Sequence, residues 1–274
     1  MRKSFKILLA VLMVLSIATA VGYKMYERSR SSLLPPEIQF EEGIISVPTK
    51  ASDEQLLKGV TATDPEDGDV TASVIVEGMS KLVGKNNVTV SYIAFDSQNH
   101  MTRAERTVHL TDYHPPRFAL KEPLCFRLSN NINILKCIQA NDILDGDISK
   151  KVKYTVDDGS LLLKSVGECK ITLSVTNSLG QTVKLPVTVD ITNANSNSSE
   201  VMLDEYLIYI KKGASFDAES HIVGYTDNGV LHKGADGVSI SGSVNTNTPG
   251  IYTVKYSYGS EQLSGYTKLV VVVE

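Results

Sequence analysis

Leu56-Leu57-Lys58-Gly59-Val60-Thr61-Ala62-Thr63-Asp64-Pro65-Glu66-Asp67-Gly68-Asp69-Val70-Thr71 returns without a gap as Ile134-Leu135-Lys136-Cys137-Ile138-Gln139-Ala140-Asn141-Asp142-Ile143-Leu144-Asp145-Gly146-Asp147-Ile148-Ser149. Apolar positions match apolar positions, and an acidic turn of the form D-x-x-D-G-D-[VI]-[TS] is kept in both copies. Self-similarity at a fixed spacing marks an array of small domains, so the chain is read in units of the repeat.

The spacing gives units of about 75–80 residues, hence three of them in 274 residues. Each unit closes in the same way. Residues 88, 90 and 92 are apolar or aromatic with mostly polar residues between them, as are 169, 171 and 173, and 252, 254 and 256. This period of two is that of a strand with one buried face. A turn such as Asp96-Ser97-Gln98-Asn99 or Asn177-Ser178-Leu179-Gly180 follows, and then a second alternating run, which together predict a hairpin. Val, Ile, Thr, Ser and Tyr dominate the body, which favours strands. The expectation is an all-β chain: tandem antiparallel β-sandwiches of immunoglobulin type after one N-terminal hydrophobic helix. Residues 1–35 read as a cytoplasmic tip, signal anchor and stalk. The domains read as 36–110, 116–191 and a divergent third at 201–274. Tandem prolines, Pro115-Pro116, stiffen the first joint, and the polar run Thr192 to Glu200 reads as a flexible linker.

The acidic turn after an apolar strand, the Gly-x-Tyr-x-Val-x-Tyr run at 250–256 and the Val/Thr-rich closing strand resemble the bacterial immunoglobulin-like repeats of cell-surface proteins. Related repeats also occur as accessory modules of some secreted enzymes and crystal toxins. The resemblance covers units one and two. Unit three keeps the closing hairpin, but Gly234-Ala235-Asp236-Gly237-Val238, its nearest counterpart to the acidic turn, has lost two of the three acids. The resemblance implies spacer, adhesion or binding modules, and a shared fold carries no activity with it.

At the N-terminus Arg2, Lys3 and Lys6 precede an uncharged run from Ile7 to Tyr23. The sequence is read as a signal anchor, with residues 7–23 in the membrane and the C-terminal domains outside as a single-pass protein. The small-residue site Ala18-Thr19-Ala20 offers the alternative of secretion after cleavage near Ala20. Six of the 27 basic and one of the 31 acidic residues lie within 1–30, which leaves 21 against 30 and a net charge of −9 for the rest. An acidic ectodomain excludes the basic footprint of nucleic-acid binding.

The close-spaced carboxylates Asp64, Asp67 and Asp69, with Asp142, Asp145 and Asp147, are the candidate metal ligands, for calcium, which takes several oxygen ligands. The competing reading needs no ion: Asp-Gly makes a tight turn and Asp oxygens cap backbone N–H groups. No other cofactor is indicated. Cys125, Cys137 and Cys169 all lie in unit two, where they permit one disulfide or serve as small apolar residues. His100, His109, His114, His221 and His232 are scattered, and no H-E-x-x-H, G-x-S-x-G or phosphate-binding glycine loop is present, so no enzyme is expected. Twelve tyrosines and no tryptophan occur, and Tyr206, Tyr209, Tyr252, Tyr256, Tyr258 and Tyr266 crowd unit three. Most alternate in strands as core residues, and the remainder could form a ligand platform for a protein or glycan at domain three. The sequence thus predicts a non-catalytic surface protein for adhesion, spacing or envelope assembly. Its alternative is a secreted carbohydrate- or cell-wall-binding accessory module.

Overall fold

The alternation at 88–94 places Val88, Val90, Tyr92 and Ala94 on one face of a strand, all four fully buried. Around such strands the chain builds the same arrangement three times. The computed structural model describes residues 2–31, 34–129, 132–157, 165–193, 200–227, 230–259 and 265–274.

After helix α1 (Arg2–Ser31) come β1 (Glu37–Phe40), β2 (Ile45–Val47), the single-turn helix α2 (Asp53–Leu56), β3 (Val60–Asp64), β4 (Gly68–Asp69), β5 (Ile75–Val83), β6 (Asn87–Phe95) and β7 (Met101–Leu110). The second set is β8 (Arg117–Leu120), β9 (Cys125–Arg127), β10 (Ile138–Asp142), β11 (Gly146–Asp147), β12 (Lys153–Val156), β13 (Gly167–Thr176) and β14 (Thr182–Thr192). The third is β15 (Glu200–Leu203), β16 (Leu207–Ile210), β17 (Ile222–Asp227), β18 (Val230–Lys233), β19 (Ser239–Ser241), β20 (Gly250–Tyr258) and β21 (Gly265–Val273). Each set makes a three-stranded sheet, β1-β3-β4, β8-β10-β11 or β15-β17-β18. Each also makes a four-stranded sheet, β2-β7-β6-β5, β9-β14-β13-β12 or β16-β21-β20-β19. Pairing is antiparallel apart from one parallel edge pair in each large sheet: β2 with β7, β9 with β14, and β16 with β21. The third set therefore has the topology of the other two despite its altered turn.

The chain parts into two compact units, Met1–Tyr113 and His114–Glu274. In the first, α2 is closed by a capping box: Ser52 Oγ accepts from Gln55 N–H, and Gln55 Oε1 accepts from Ser52 N–H. Its last carbonyl, on Leu56, accepts from the buried Tyr92 hydroxyl at 2.8 Å and from the buried Arg106 guanidinium at 2.7 Å. A cation at a helix C-terminus meets the negative end of the dipole.

The second unit holds two sandwiches that pack on each other. Val270 of β21 and Leu207 of β16 belong to the same buried cluster as Phe118, Leu120, Val187 and Val189, with Tyr206, Tyr209 and Val272 packed against it. The linker expected from Thr192 to Glu200 falls mostly on residues 194–199, which lie outside the described ones. Among the described residues the cysteines form no disulfide, Cys137 being buried and Cys125 and Cys169 half-buried.

The membrane reading is corrected by helix α1 itself. Among the described residues no helix is long and apolar enough to cross a membrane. At 1.5 Å per residue, the uncharged run 7–23 rises only about 26 Å, short of a hydrocarbon core of about 30 Å. Ser16 and Thr19 interrupt it, their hydroxyls donating to the carbonyls of Met13 at 3.0 Å and Ser16 at 2.9 Å, and Lys24 and Glu27 follow within the helix. The signal anchor, the membrane as partner through residues 7–23 and the single-pass localisation do not stand.

Candidate functional site

The acidic turns join β3 to β4 and β10 to β11, and each letter of the motif has a bonding task. Asp64 Oδ1 accepts from the N–H groups of Glu66 (2.8 Å) and Asp67 (2.9 Å). Asp142 Oδ1 does the same for Leu144 and Asp145, both at 2.9 Å. The glycine adopts positive φ, +76° at Gly68 and +71° at Gly146, which disfavours other residues. Asp69 and Asp147 accept from the N–H of Thr71 and Ser149, the first residues of a short 3-10 turn, each at 2.9 Å. Those hydrogen bonds, from side chain and backbone of Thr71 or Ser149, hold both carboxyls below the ordinary aspartate range. The hydroxyls of Thr71 and Ser149 accept in turn from Ala62 and Ala140 N–H at 3.0 Å.

The middle aspartate reaches furthest. Asp67 accepts from Ser97 N–H at 2.7 Å and from its hydroxyl at 3.0 Å, across to the turn between β6 and β7. Asp145 likewise accepts from Ser178 N–H at 2.8 Å, from the Ser178 hydroxyl, and from Lys151 Nζ at 3.1 Å. Burial pushes the Asp145 carboxyl up, and those partners outweigh it and leave it below its ordinary value. Each turn is therefore a clasp between the two sheets of a sandwich. Most of its carboxylate oxygens accept from protein donors. Among the described residues no group of three or more His, Cys, Asp or Glu is arranged to hold a metal ion.

One difference separates the two clasps. Asp142 Oδ2 accepts from Asn177 Nδ2 at 2.9 Å, both residues being buried. The residue at the Asn177 position in the first sandwich is Asp96, which has no amide to donate. Asp64 Oδ2 there is buried without a hydrogen-bond partner among the described residues. Asp96 turns instead to His100, with Oδ2 at 2.6 Å from Nδ1.

In the third sandwich the register puts Asp227 opposite Val230, where Asp64 faces Gly68 and Asp142 faces Gly146. The counterpart of the acidic turn is thus the β17–β18 connection, whose residues 228–229 lie outside the described ones, and not Gly234 to Val238. Beside it, β18 is longer than β4 or β11 and exposed at all four residues. Three rings stack here: Tyr225 on His232 at 5.0 Å and 11°, and Tyr225 on Tyr258 at 3.8 Å and 24°. Tyr225 is buried, Tyr258 half-buried and His232 exposed. The backbone at Gly237 lies so close to the Tyr258 ring edge that a Cβ would stand 3.0 Å from Cε2. The stack closes the open side of the sandwich and presents ring surface to solvent.

The remaining tyrosines are structural. Tyr256, its hydroxyl donating to Ala218 O at 2.8 Å, repeats the role of Tyr92 and is pushed up to about 12 by burial. Tyr252 donates to Thr248 O at 2.9 Å. Tyr209 accepts from Phe118 N–H at 3.0 Å across the seam between the second and third sandwiches, with the Arg117 guanidinium 5.1 Å from its ring centroid.

The seam has an ionic centre that sequence reasoning missed. Lys268 Nζ lies 2.8 Å from both Asp190 oxygens and 2.8 Å from Glu168 Oε1. Burial pushes the Asp190 carboxyl up, and Lys268 only partly offsets it. Burial also works against the Lys268 ammonium, but the two carboxylates outweigh it and hold it above the ordinary lysine range. Cys125 lies alongside, its thiol pushed up to about 11 by burial and the neighbouring Asp190 charge, which makes it a poor nucleophile. A void of about 10 Å³ lined by Leu124, Cys125, Thr188, Asp190, Lys268 and Val270 has room for about one water and no ligand. A signal was present in the sequence. Leu269-Val270-Val271-Val272-Val273 is apolar without alternation, as befits a strand covered on both faces.

The fold is that of tandem sandwiches of immunoglobulin type. Residues 203–268 match the family described as "Bacterial surface protein, Ig-like domain". The match falls on the sandwich whose acidic turn is altered rather than on the two that keep it. No curated protein sequence matches the chain. Among solved structures, the M60 catalytic domain with CBM51-1 and CBM51-2 from Clostridium perfringens ZmpB is 14% identical with a TM-score of 0.22, over 87% of this chain and 30% of that one. Drosophila N-cadherin EC1-4 is 11% identical with a TM-score of 0.25, over 87% and 67%. Mouse Cadherin-23 EC22-24 is 14% identical with a TM-score of 0.22, over 87% and 98%. At these TM-scores no site is carried from one protein to the other.

Proposed function

We propose that the protein is a secreted accessory module that binds carbohydrate or cell wall, with the third sandwich as its head. The observation that supports this is the ring stack of His232, Tyr225 and Tyr258. Flat aromatic surface beside hydroxyl and carboxylate groups suits a sugar, whose C–H face packs on a ring while its hydroxyls bond to polar neighbours. Here the polar neighbours are the Tyr225 hydroxyl and the Asp227 carboxylate, both of which act on Tyr258. The second sandwich packs against this head through the seam. The test is retention of the full chain on insoluble cell-wall material and polysaccharides. Replacing Tyr258 or His232 by Ala should weaken retention about three- to tenfold, the worth of one aromatic contact. Tyr258→Phe should retain most of it. Unchanged retention in both Ala variants would reject the platform.

A second reading, adhesion to a protein, draws on β18, an exposed edge strand open to pairing with another chain. Replacing Val230 and Leu231 by Lys would then abolish cell adhesion and leave polysaccharide retention intact.

A further inference from the structure

An otherwise acidic body carries a basic strip on the outer face of the β9-β14-β13-β12 sheet. Along β13 the buried Ile171, Leu173 and Val175 point into the core, so Lys170, Thr172 and Ser174 point out. Directly opposite residues of an antiparallel pair share a face. The register therefore sets Lys153 and Lys184 on either side of Ser174, and Thr188 beside Lys170. Lys153 and Lys184 stand two strands apart, about 10 Å, and their row lies four residues, about 13 Å, from Lys170. The strip continues across the seam. Lys255 faces Lys268 on the outer side of the third sandwich, and Lys268 Nζ lies 2.8 Å from Glu168, two residues from Lys170.

Lys153, Lys170, Lys184 and Lys255 are exposed, and among the described residues none of them makes an ion pair. The acids beside them are already engaged, Glu168 and Asp190 with Lys268, and Asp157 with the Thr172 hydroxyl. The corresponding face of the first sandwich is balanced instead: Arg103 pairs with Glu77, and Glu105 accepts from the Ser91 hydroxyl.

We propose that this strip binds an extended phosphodiester polymer of the cell wall, laid across the second sandwich and the seam. Ammonium groups without carboxylate partners call for anions, and their spacing calls for several anions in a row rather than one. A phosphodiester leaves two oxygens free, one for an ammonium and one for a hydroxyl donor such as Ser174 or Thr188. Among the described residues this face of the second sandwich offers no aromatic ring, so a thin polyol chain suits it better than charged sugars, whose rings stack. The acidic remainder of the body repels a broad polyanion, so the ligand is a single strand that touches the strip alone. The wall as the setting rests on the function proposed above; the surface itself does not.

Binding of the full chain to immobilised poly(glycerol phosphate) across a salt series tests this. Four lysine contacts with a single-stranded polyanion give a slope of log affinity against log salt of about −3, so affinity should fall about 50-fold from 50 to 200 mM salt. Lys170→Gln should weaken binding about fivefold at low salt and flatten the slope by about 0.7. Combining Lys153→Gln, Lys170→Gln and Lys184→Gln should weaken it about 100-fold. All three side chains are exposed, so the circular dichroism of that variant should match the parent's. The triple variant should still be retained on uncharged polysaccharide, and Tyr258→Ala should still hold the phosphate polymer, which separates failure of the strip from failure of the ring stack. Three results would each overturn the proposal: no binding of the wild-type chain at low salt, undiminished binding by the triple variant, or equally tight binding of single-stranded DNA or polygalacturonate at the same salt.

Discussion

Replacing Asn177 by Asp should loosen the second sandwich at a predictable place. The substitution keeps size and shape. Its Oδ1 still accepts the Gln181 N–H, now at 2.9 Å, but the Nδ2 donor to Asp142 Oδ2 becomes an oxygen. Asn177 and Asp142 are only 5% and 4% exposed, so water cannot fill the vacancy. A lost buried hydrogen bond to a charged acceptor costs about 1.5–3 kcal/mol. That is roughly a 10- to 150-fold rise in local opening, at 1.4 kcal/mol per tenfold. Hydrogen exchange on the full chain reads it, since local opening sets exchange of the clasp amides of Leu144, Asp145 and Gln181. The first sandwich supplies the reciprocal experiment. Asp96→Asn offers Asp64 Oδ2 the donor it lacks and should slow exchange at Glu66 and Asp67. The gain is about 1 kcal/mol, partly offset by loss of the 2.6 Å contact with His100. Unchanged exchange in Asn177→Asp, or faster exchange in Asp96→Asn, would refute the idea that this amide separates the two clasps.

The pH dependence follows in sign from the shifted carboxyls. Asp69, Asp145 and Asp147 lie below their ordinary values when folded, so their stabilisation is present above the unfolded pKa and is lost as pH falls through the folded one. Asp190 is raised, so its ionised form is the strained one and its contribution is lost as pH rises through the folded value. Acid titration followed by exchange should therefore open the clasps in a window below about pH 4, and Glu168, held low by its bond from Lys268, should lose its part of the seam contact in the same direction. Tyr92→Phe removes a donor to Leu56 O and leaves Arg106 to hold the end of α2 alone; chemical denaturation should show a loss of about 1 kcal/mol. Calcium titration by calorimetry should give no heat from the clasps, and heat abolished by Asp67→Ala would show instead that the turn opens to bind an ion.

The strands and hairpins were legible because their cause is local. Period-two alternation at 88–94 and the Asp-Gly turn write themselves into adjacent residues. The purpose of the turn was not, because the donors that satisfy Asp67 and Asp145 lie some thirty residues away at Ser97 and Ser178. For the same reason the third sandwich was misaligned. Matching by acidic letters pointed to Gly234 to Val238, whereas strand register, which only pairing reveals, puts the counterpart at Asp227. The N-terminal run failed differently: its composition suggested a span, but length and the interrupting hydroxyls decide whether a helix can cross a bilayer.

The seam shows how a sequence of this kind hides a contact between its repeats. Along β21, alternation would leave 266, 268, 270 and 272 facing water. Instead Val270 and Val272 meet the neighbouring sandwich, and Lys268 is drawn between two carboxylates. A lysine in an otherwise apolar closing strand reads locally as an exposed polar residue. Only the unbroken Val run beside it says that the outer face is covered too. Once that face is covered, the lysine must be paired, because an isolated buried ammonium is too costly to keep. Asp190, at the outward position of the matching strand in the preceding sandwich, is the partner the repeat itself supplies. The same repetition that makes the sandwiches recognisable thus places the end of one closing strand against the next, and the seam between copies, not any single copy, holds the ion triad.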